Sequence, residues 1–312
     1  MAEKYFDVVI IGAGPAGLSA GLYAARAGLS ALILEKLSPG GQAAITDKIE
    51  NYPGGLADDS GPVLSARMAA QAESFGAVIS SETVKEADFT GALKLVKTRR
   101  NEYRTKAVII ATGGKPKRAG CPGEAEFTGR GVSYCATCDA AFFRGQDVFV
   151  IGGGDSAVEE ALFIAGFAGK VTIVHRRNEL RAAKSLVDKA ARNEKIAFLW
   201  DSVAEEIRGG NQVESIVFRN VKTGETSEYR GKSLGVFVFV GYEPVSELFA
   251  GKVLMDGGGY IITDENMKTS VPGVFAAGDV RAKSLRQVVT AAADGAIAGV
   301  WAEKYVSGLE GI

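Results

Sequence analysis

Residues 6–17 read FDVVIIGAGPAG and residues 147–157 read DVFVIGGGDSA. Each begins with a short β-branched apolar run, as a strand buried on both faces does. Each then turns through glycines, at Gly12, Gly14 and Gly17 in the first and at Gly152 and Gly154 in the second, where Ala157 takes the third place. The first stretch continues as LSAGLYAARAG, a small-residue helix ending at Gly28, and then as ALILE, a strand ending at Glu35. The second continues as VEEALFIAGFAG, a helix, and KVTIVHRR, the next strand and its exit. Glu35 lies 23 residues after Gly12, and His175 lies 23 after Gly152. A strand–turn–helix–strand unit repeated at matching offsets predicts an α/β chain with two doubly wound halves.

Both units close alike. AVIIATGGKP (107–116) and LGVFVFVGYEP (234–244) are apolar strands that run into glycine and proline. GGKPKRAGCPGE (113–124) is a Gly- and Pro-rich connector, and GVFAAGDV (273–280) is a further apolar strand ending in Gly-Asp.

The 312 residues carry 36 basic and 37 acidic side chains, a net charge of −1. That balance excludes a strongly basic nucleic-acid surface. Glycine supplies 40 residues, as tight turns and close backbone approach to ligands require. Val8 to Ala25 is uncharged, but Gly12, Gly14, Pro15, Gly17 and Gly21 interrupt it and Glu3 and Asp7 precede it. It reads neither as a membrane span nor as a signal peptide. Three cysteines are too few for a disulfide scaffold and fit a reducing cytoplasm.

In a glycine turn of this kind the first glycine makes the turn. The second lets backbone approach a diphosphate, and the third packs helix on strand. The diphosphate then meets the free N–H groups of the helix N-terminus. In the first unit Gly12, Gly14, Ala16 and Gly17 form this cradle. Glu35, followed by Lys36, ends the second strand as an acceptor for ribose hydroxyls, which selects FAD or NAD(H) over NADP(H). In the second unit the cradle is Gly152, Gly154, Asp155, Ser156 and Ala157. No acid stands at the strand end there; His175, Arg176, Arg177 and Arg181 do. Guanidinium groups match a 2′-phosphate, which points to NADPH; the plainer reading is a solvated basic strand exit. His175, the only histidine, reads as a ribose or phosphate neighbour rather than a base. One acid-ended and one Arg-ended site in a single chain imply hydride chemistry between FAD and NADPH.

Residues 133–140, SYCATCDA, hold Cys135, Cys138 and Asp139. Half of a metal site, an inert pair and a redox disulfide are the three readings. A zinc site needs about four ligands. Cys121 is the one cysteine left, and the one histidine belongs to the nucleotide motif, so no metal site is assigned.

Taken together, GAGPAG (12–17), GGQ (40–42), ENYPG (50–54), ATGG (111–114), CATCD (135–139), GGGDSAVEEA (152–161), HRRNELR (175–181), PGVFAAGD (272–279) and RQVVTAA (286–292) resemble the low-molecular-weight, bacterial-type thioredoxin reductases over essentially the whole chain. The resemblance implies two Rossmann-like domains, the second inserted into the first. The FAD-binding domain would be 1–116 with 246–312, and the NADPH-binding domain 117–245, carrying the CxxC. It implies that Gly40, Gly41, Gln42, Asn51, Thr112, Gly113, Gly278, Asp279, Arg286, Gln287 and Val288 complete the FAD site. It further implies that electrons pass from NADPH to FAD, to a Cys135–Cys138 disulfide, and to thioredoxin or a similar small redoxin. Asp139 would handle the proton, the connectors near 114–120 and 242–247 would act as hinges for domain rotation, and the enzyme would be a cytoplasmic homodimer. Two positions depart from the family pattern: Ala140 where glycine is commoner, and Cys121 where an aliphatic residue is expected. The rival readings are a related flavoenzyme serving another redoxin, a peroxiredoxin module or oxygen, a ferredoxin-fed reductase, and a nucleotide-binding redox or metal sensor.

Overall fold

A computed structural model of the chain describes residues 2–45, 49, 51–56 and 59–310, with the side chains of all of these except 2, 137, 138, 309 and 310. The chain forms two compact units, Met1–Lys115 with Glu243–Ile312, and Pro116–Tyr242.

The first unit begins with β1 (Ala2–Ile11), α1 (Pro15–Arg26), β2 (Ala31–Glu35), α2 (Gly61–Ser74) and β3 (Val78–Ser81), and continues with β4 (Val84–Asp88), β5 (Lys94–Thr98) and β6 (Asn101–Ile110). The chain leaves it through β7 (Gly114–Pro116). The second unit holds β8 (Val132–Ser133), α3 (Ala136–Asp139), β9 (Asp147–Gly152), α4 (Asp155–Ala165), β10 (Lys170–Val174), α5 (Lys184–Ala191) and β11 (Ile196–Leu199), then β12 (Ser202–Gly209), β13 (Val213–Asn220), β14 (Thr226–Arg230) and β15 (Leu234–Phe239). The chain returns through β16 (Tyr242–Pro244), which pairs with β7, to β17 (Val274–Ala276) and α6 (Val288–Glu310).

The first sheet has the order β3-β2-β1-β6-β5-β4, with β17 also on β6. Its β3, β2, β1, β6 and β17 pairings are parallel. Val8, Val9 and Ile10 have no exposed surface, because the central strands are covered on both faces. The small-residue composition of α1 has a packing cause: α6 lies directly on it. A Cβ at Gly295 would stand 2.0 Å from the Ala16 carbonyl oxygen, and one at Gly299 would stand 2.8 Å from that of Ala20. Main chain touches main chain along this seam, so larger side chains are excluded.

The second unit repeats the plan as a parallel sheet of order β11-β10-β9-β15-β8. Between β11 and β15 lies an antiparallel meander, β12-β13-β14, which the strand–helix alternation does not announce. Its inner face carries the buried Ile207, Ile216 and Phe218, while Glu205, Arg219 and Arg230 meet solvent. Among the described residues no helix is long and apolar enough to cross a membrane.

Candidate active site

The two glycine turns sit at the carboxyl ends of β1 and β9, where open α/β sheets hold ligands. In the first turn Gly12 has φ +106°, and a Cβ there would lie 2.4 Å from the Ala111 carbonyl oxygen. A Cβ at Gly17 would lie 1.8 Å from the Gly12 carbonyl oxygen. The chain's own packing therefore dictates these two glycines. Gly14 is different, because a Cβ there would meet nothing within 4 Å. It caps α1 without any side-chain hydrogen bond, leaving the helix N-terminus open to an anion. Gly41 closes on it, its Cβ position 3.3 Å from the Gly14 Cα, and the Gly40 N–H donates to the Ala13 carbonyl at 2.7 Å. Gln42 stands exposed beside them.

Glu35 accepts the Ala13 N–H at 2.8 Å and the Leu37 N–H at 3.1 Å. One carboxylate so holds the turn and the strand exit, where Lys36 is exposed. A carboxylate has about four acceptor positions, so two remain for ribose hydroxyls.

The returning segment brings the distant residues to this cradle. Gly278, at φ +79°, starts a tight turn over Gly278–Val280, and a Cβ on it would press on the Ala16 Cβ at 2.8 Å. Beside it the buried Asp279 Oδ1 has no partner among the described residues, and neither has the buried Arg286 Nε. Burial pushes the Asp279 carboxyl above its ordinary value, against the pull of Lys283 and Arg286. The Arg286 guanidinium lies 4.2 Å from the Tyr260 ring centre, a cation–π contact. Asn51 Nδ2 donates to Gln287 Oε1 at 3.0 Å, and Val288 opens α6. At the end of β6, Thr112 Oγ1 donates to the Val245 carbonyl at 2.6 Å, followed by Gly113 at φ +67°. An open glycine at a helix N-terminus, a half-used carboxylate at Glu35 and unpartnered buried atoms at Asp279 and Arg286 form a donor and acceptor set that fits FAD.

In the second unit His175 packs over the turn. A Cβ at Gly153 would lie 2.2 Å from His175 Nδ1, so only glycine fits beneath the ring. His175 is 5 % exposed and its Nε2 has no partner among the described residues. Burial, then Arg181, Arg177 and Arg176, push its pKa down. A neutral ring suits a neighbour of ribose or phosphate better than a proton carrier. Gly152 and the buried Ala157 close the turn as Gly12 and Gly17 do, with the Gly152 Cβ position 2.6 Å from the Ala157 Cβ. Gly154 again faces open space. A cavity of about 100 Å³ runs past Gly154, Asp155, Ser156, Arg181 and Tyr242. The Arg181 N–H donates to the Gly153 carbonyl at 2.6 Å, and Asp155 Oδ1 accepts the Ala183 N–H at 2.7 Å. These bonds fasten the Arg181 segment to the start of α4. Arg176 and Arg177 are exposed.

Cys135 is disulfide-bonded, and Cys121 is free. The Cys138 side chain lies outside the described residues. Ser133 Oγ accepts the Cys135 N–H at 3.0 Å and donates to the Cys135 carbonyl at 3.1 Å, which sets the approach to α3. Ala136, Ala140 and Phe143 bury that segment against Ala157, Val158 and Ala161 of α4. The half-buried Asp139 ends α3. The Cys121 thiol is pushed up to about 11 by burial, with Glu124 adding to the effect. It is a packing residue, with little thiolate at neutral pH.

Sequence reasoning missed Asp294, Lys283 and Tyr260, all of which bear on the returning segment. The one available signal was a lone carboxylate in the small-residue run AAADGAIAG (291–299).

A family model for pyridine nucleotide-disulphide oxidoreductases matches residues 6–295. The thioredoxin reductase of Peptoclostridium litorale is 58 % identical over 98 % of this chain and 99 % of its own length. That of Bacillus subtilis (strain 168) is 48 % identical over 99 % of this chain and 97 % of its own. The crystal structure of Lactococcus lactis thioredoxin reductase (FR conformation) is similar with a TM-score of 0.91, at 48 % identity over 97 % of this chain and 99 % of that one.

Proposed function

The chain belongs to the pyridine nucleotide-disulphide oxidoreductase family, and on that premise we propose that it catalyses the reduction of thioredoxin by NADPH. Its cofactors are FAD and NADPH. FAD, when bound, supplies what no side chain can, accepting a hydride from the nicotinamide and releasing two electrons to a disulfide.

The first unit holds FAD. Gly14 and the N-terminus of α1 take its diphosphate, Glu35 its ribose, and Asp279, Arg286 and the Asn51–Gln287 pair the flavin side. The second unit holds NADPH through Gly154, the N-terminus of α4 and the 2′-phosphate-directed Arg176, Arg177 and Arg181. Cys138 is the partner of Cys135. Two electrons and two protons open this disulfide to two thiols. One, as thiolate, attacks the disulfide of thioredoxin and forms a mixed disulfide. The other resolves it, the Cys135–Cys138 bond re-forms, and thioredoxin leaves as the dithiol. Asp139 gives and takes the proton that thiolate formation needs. Efficient exchange places the potential of the pair near that of thioredoxin, about −270 mV.

The observation that carries this reading is the bonded state of Cys135 beside the free Cys121, in a chain with two dinucleotide turns. The paired connectors β7 and β16 serve as hinges for rotation between the two half-reactions. The working form is a cytoplasmic homodimer. An apolar groove of about 340 Å³ on the first unit, lined by Leu22, Tyr23, Tyr52, Met68, Val289 and Ala296, supports a seat for the second copy. Trapping tests the cysteine roles. Cys135→Ser and Cys138→Ser are each reduced and mixed with a thioredoxin that keeps only its attacking cysteine, carried as a mixed disulfide with thionitrobenzoate, and one should accumulate a covalent complex as thionitrobenzoate leaves. If neither does, the exchange mechanism fails.

A further inference from the structure

Asp294 takes no part in the chemistry above, yet it is the most heavily bonded carboxylate beside the proposed flavin site. It lies on α6 and is 7 % exposed. Its Oδ2 accepts the Gly278 N–H at 3.0 Å and Lys283 Nζ at 2.8 Å. Arg281 Nη1 donates to both of its oxygens at 3.2 Å. Arg281 is anchored from its other side, Nε donating to Thr263 Oγ1 at 2.8 Å. The Arg281 and Lys283 side chains are 14 % and 8 % exposed, so both cations are largely out of water. A buried cation is stable only with a paired anion.

Two carboxylates are available, the buried Asp294 and the half-buried Asp279, and they are used differently. Asp294 is saturated, whereas Asp279 Oδ1 has no partner among the described residues although the Lys283 charge acts on it. An ammonium has three donors, and the Asp294 bond uses one. The position of Asp294 is itself fixed. The adjacent Gly295 meets the Ala16 carbonyl, and Gly278 meets the Ala16 side chain, so α6, the Gly278 turn and the first turn of α1 converge on one residue.

We propose that Asp294 is a positioning residue for the flavin dinucleotide: it holds Lys283 away from Asp279, leaving that carboxylate free for cofactor hydroxyls, and through the Gly278 N–H it fixes the turn that carries Asp279. Without the Asp294 charge, Lys283 turns to Asp279 and competes with the ligand. This inference rests on the assignment of FAD to the first unit.

The test is FAD binding to stripped apoprotein, followed by flavin fluorescence, with circular dichroism as a check on folding. Asp294→Asn keeps an acceptor for Gly278 but lacks the charge. Its FAD dissociation constant should rise about tenfold or more, the weight of a charged hydrogen-bond set. Adding Lys283→Met removes the competing cation, and the double variant should recover most of that loss. A double variant as weak as Asp294→Asn, or an Asp294→Asn that binds like the native chain, would overturn the proposal. If Asp294→Asn does not fold, Lys283→Met alone decides. Affinity within about threefold of native is expected, and a loss of about tenfold would mean that Lys283 itself serves the cofactor, overturning the proposal. A native apoprotein that takes up no FAD would overturn the flavin assignment and this inference with it; native binding with an unaffected Asp294→Asn overturns this inference alone.

Discussion

Asn51 Nδ2 donates a hydrogen bond to Gln287 Oε1 at 3.0 Å, joining side chains 236 positions apart. The bond ties the loop before α2 to the segment that opens α6. Both residues are expected at the flavin site, and their contact fixes each in place for that proposed role. Gln287→Ala should weaken FAD binding about three- to tenfold, the range of one hydrogen bond. The pair is exposed, so the apoprotein melting temperature should hardly move. A flavin fluorescence titration measures the first effect, and an unchanged affinity would detach the pair from the site.

The glycines divide by what surrounds them. Gly17→Ala forces a Cβ to within 1.8 Å of the Gly12 carbonyl oxygen, so α1 must lift from the sheet. Overpacking of this kind should lower the melting temperature by about 5 °C or more. Gly14 has φ −71° and open space around it. Gly14→Ala should therefore melt within about 2 °C of the native apoprotein yet bind FAD at least about tenfold more weakly. Equal melting losses in both variants would refute the distinction.

Coenzyme choice should follow Arg181, which lines the second cavity beside Gly154. On the proposed 2′-phosphate role, Arg181→Ala should raise the KM for NADPH about tenfold or more through the loss of a charged hydrogen bond. The KM for NADH, which lacks that phosphate, should stay nearly the same. Parallel steady-state assays compare the two, and equal losses would argue for a general role in folding the site.

Stability should carry a pH signature from α4. Burial, with Glu159 adding to it, raises the Glu160 carboxyl from 4.5 to about 7. Between those values the folded chain keeps a proton that the unfolded chain has released. The stability this confers is complete below pH 4.5 and is lost as pH rises through about 7. Glu160→Gln stays neutral throughout. Its melting temperature should match the native value near pH 4.5 and exceed it increasingly toward pH 8. A gap that does not vary with pH would contradict this reading of the side chain.

What could be read from the sequence was local. A β-branched strand, a glycine turn and a small-residue helix lie within about 25 contiguous residues in each unit, and backbone sterics tie those residue types to that shape. The Arg cluster after β10 was legible because it follows its strand directly. The β12-β13-β14 meander was legible as well, since Gly209-Gly210-Asn211 and Thr223-Gly224 mark its two turns between alternating strands, but the expectation of strand–helix units passed over it. Asp294 was invisible for another reason. Its partners Gly278, Arg281 and Lys283 precede it by a loop and a helix turn, and only the crossing of α6 over α1 at Ala16 brings them together. Side-chain pairs set by helix crossing leave no periodic trace.

The most direct measurement is NADPH consumption with oxidised thioredoxin as acceptor, for the native chain and for Cys135→Ser. Fast oxidation is expected that requires thioredoxin and falls to background in the variant, because on the proposed mechanism electrons leave the protein through the Cys135 disulfide. Oxidation that proceeds without thioredoxin and survives the substitution would mean that the electrons go to oxygen or another acceptor, and that the disulfide at Cys135 is not on their path.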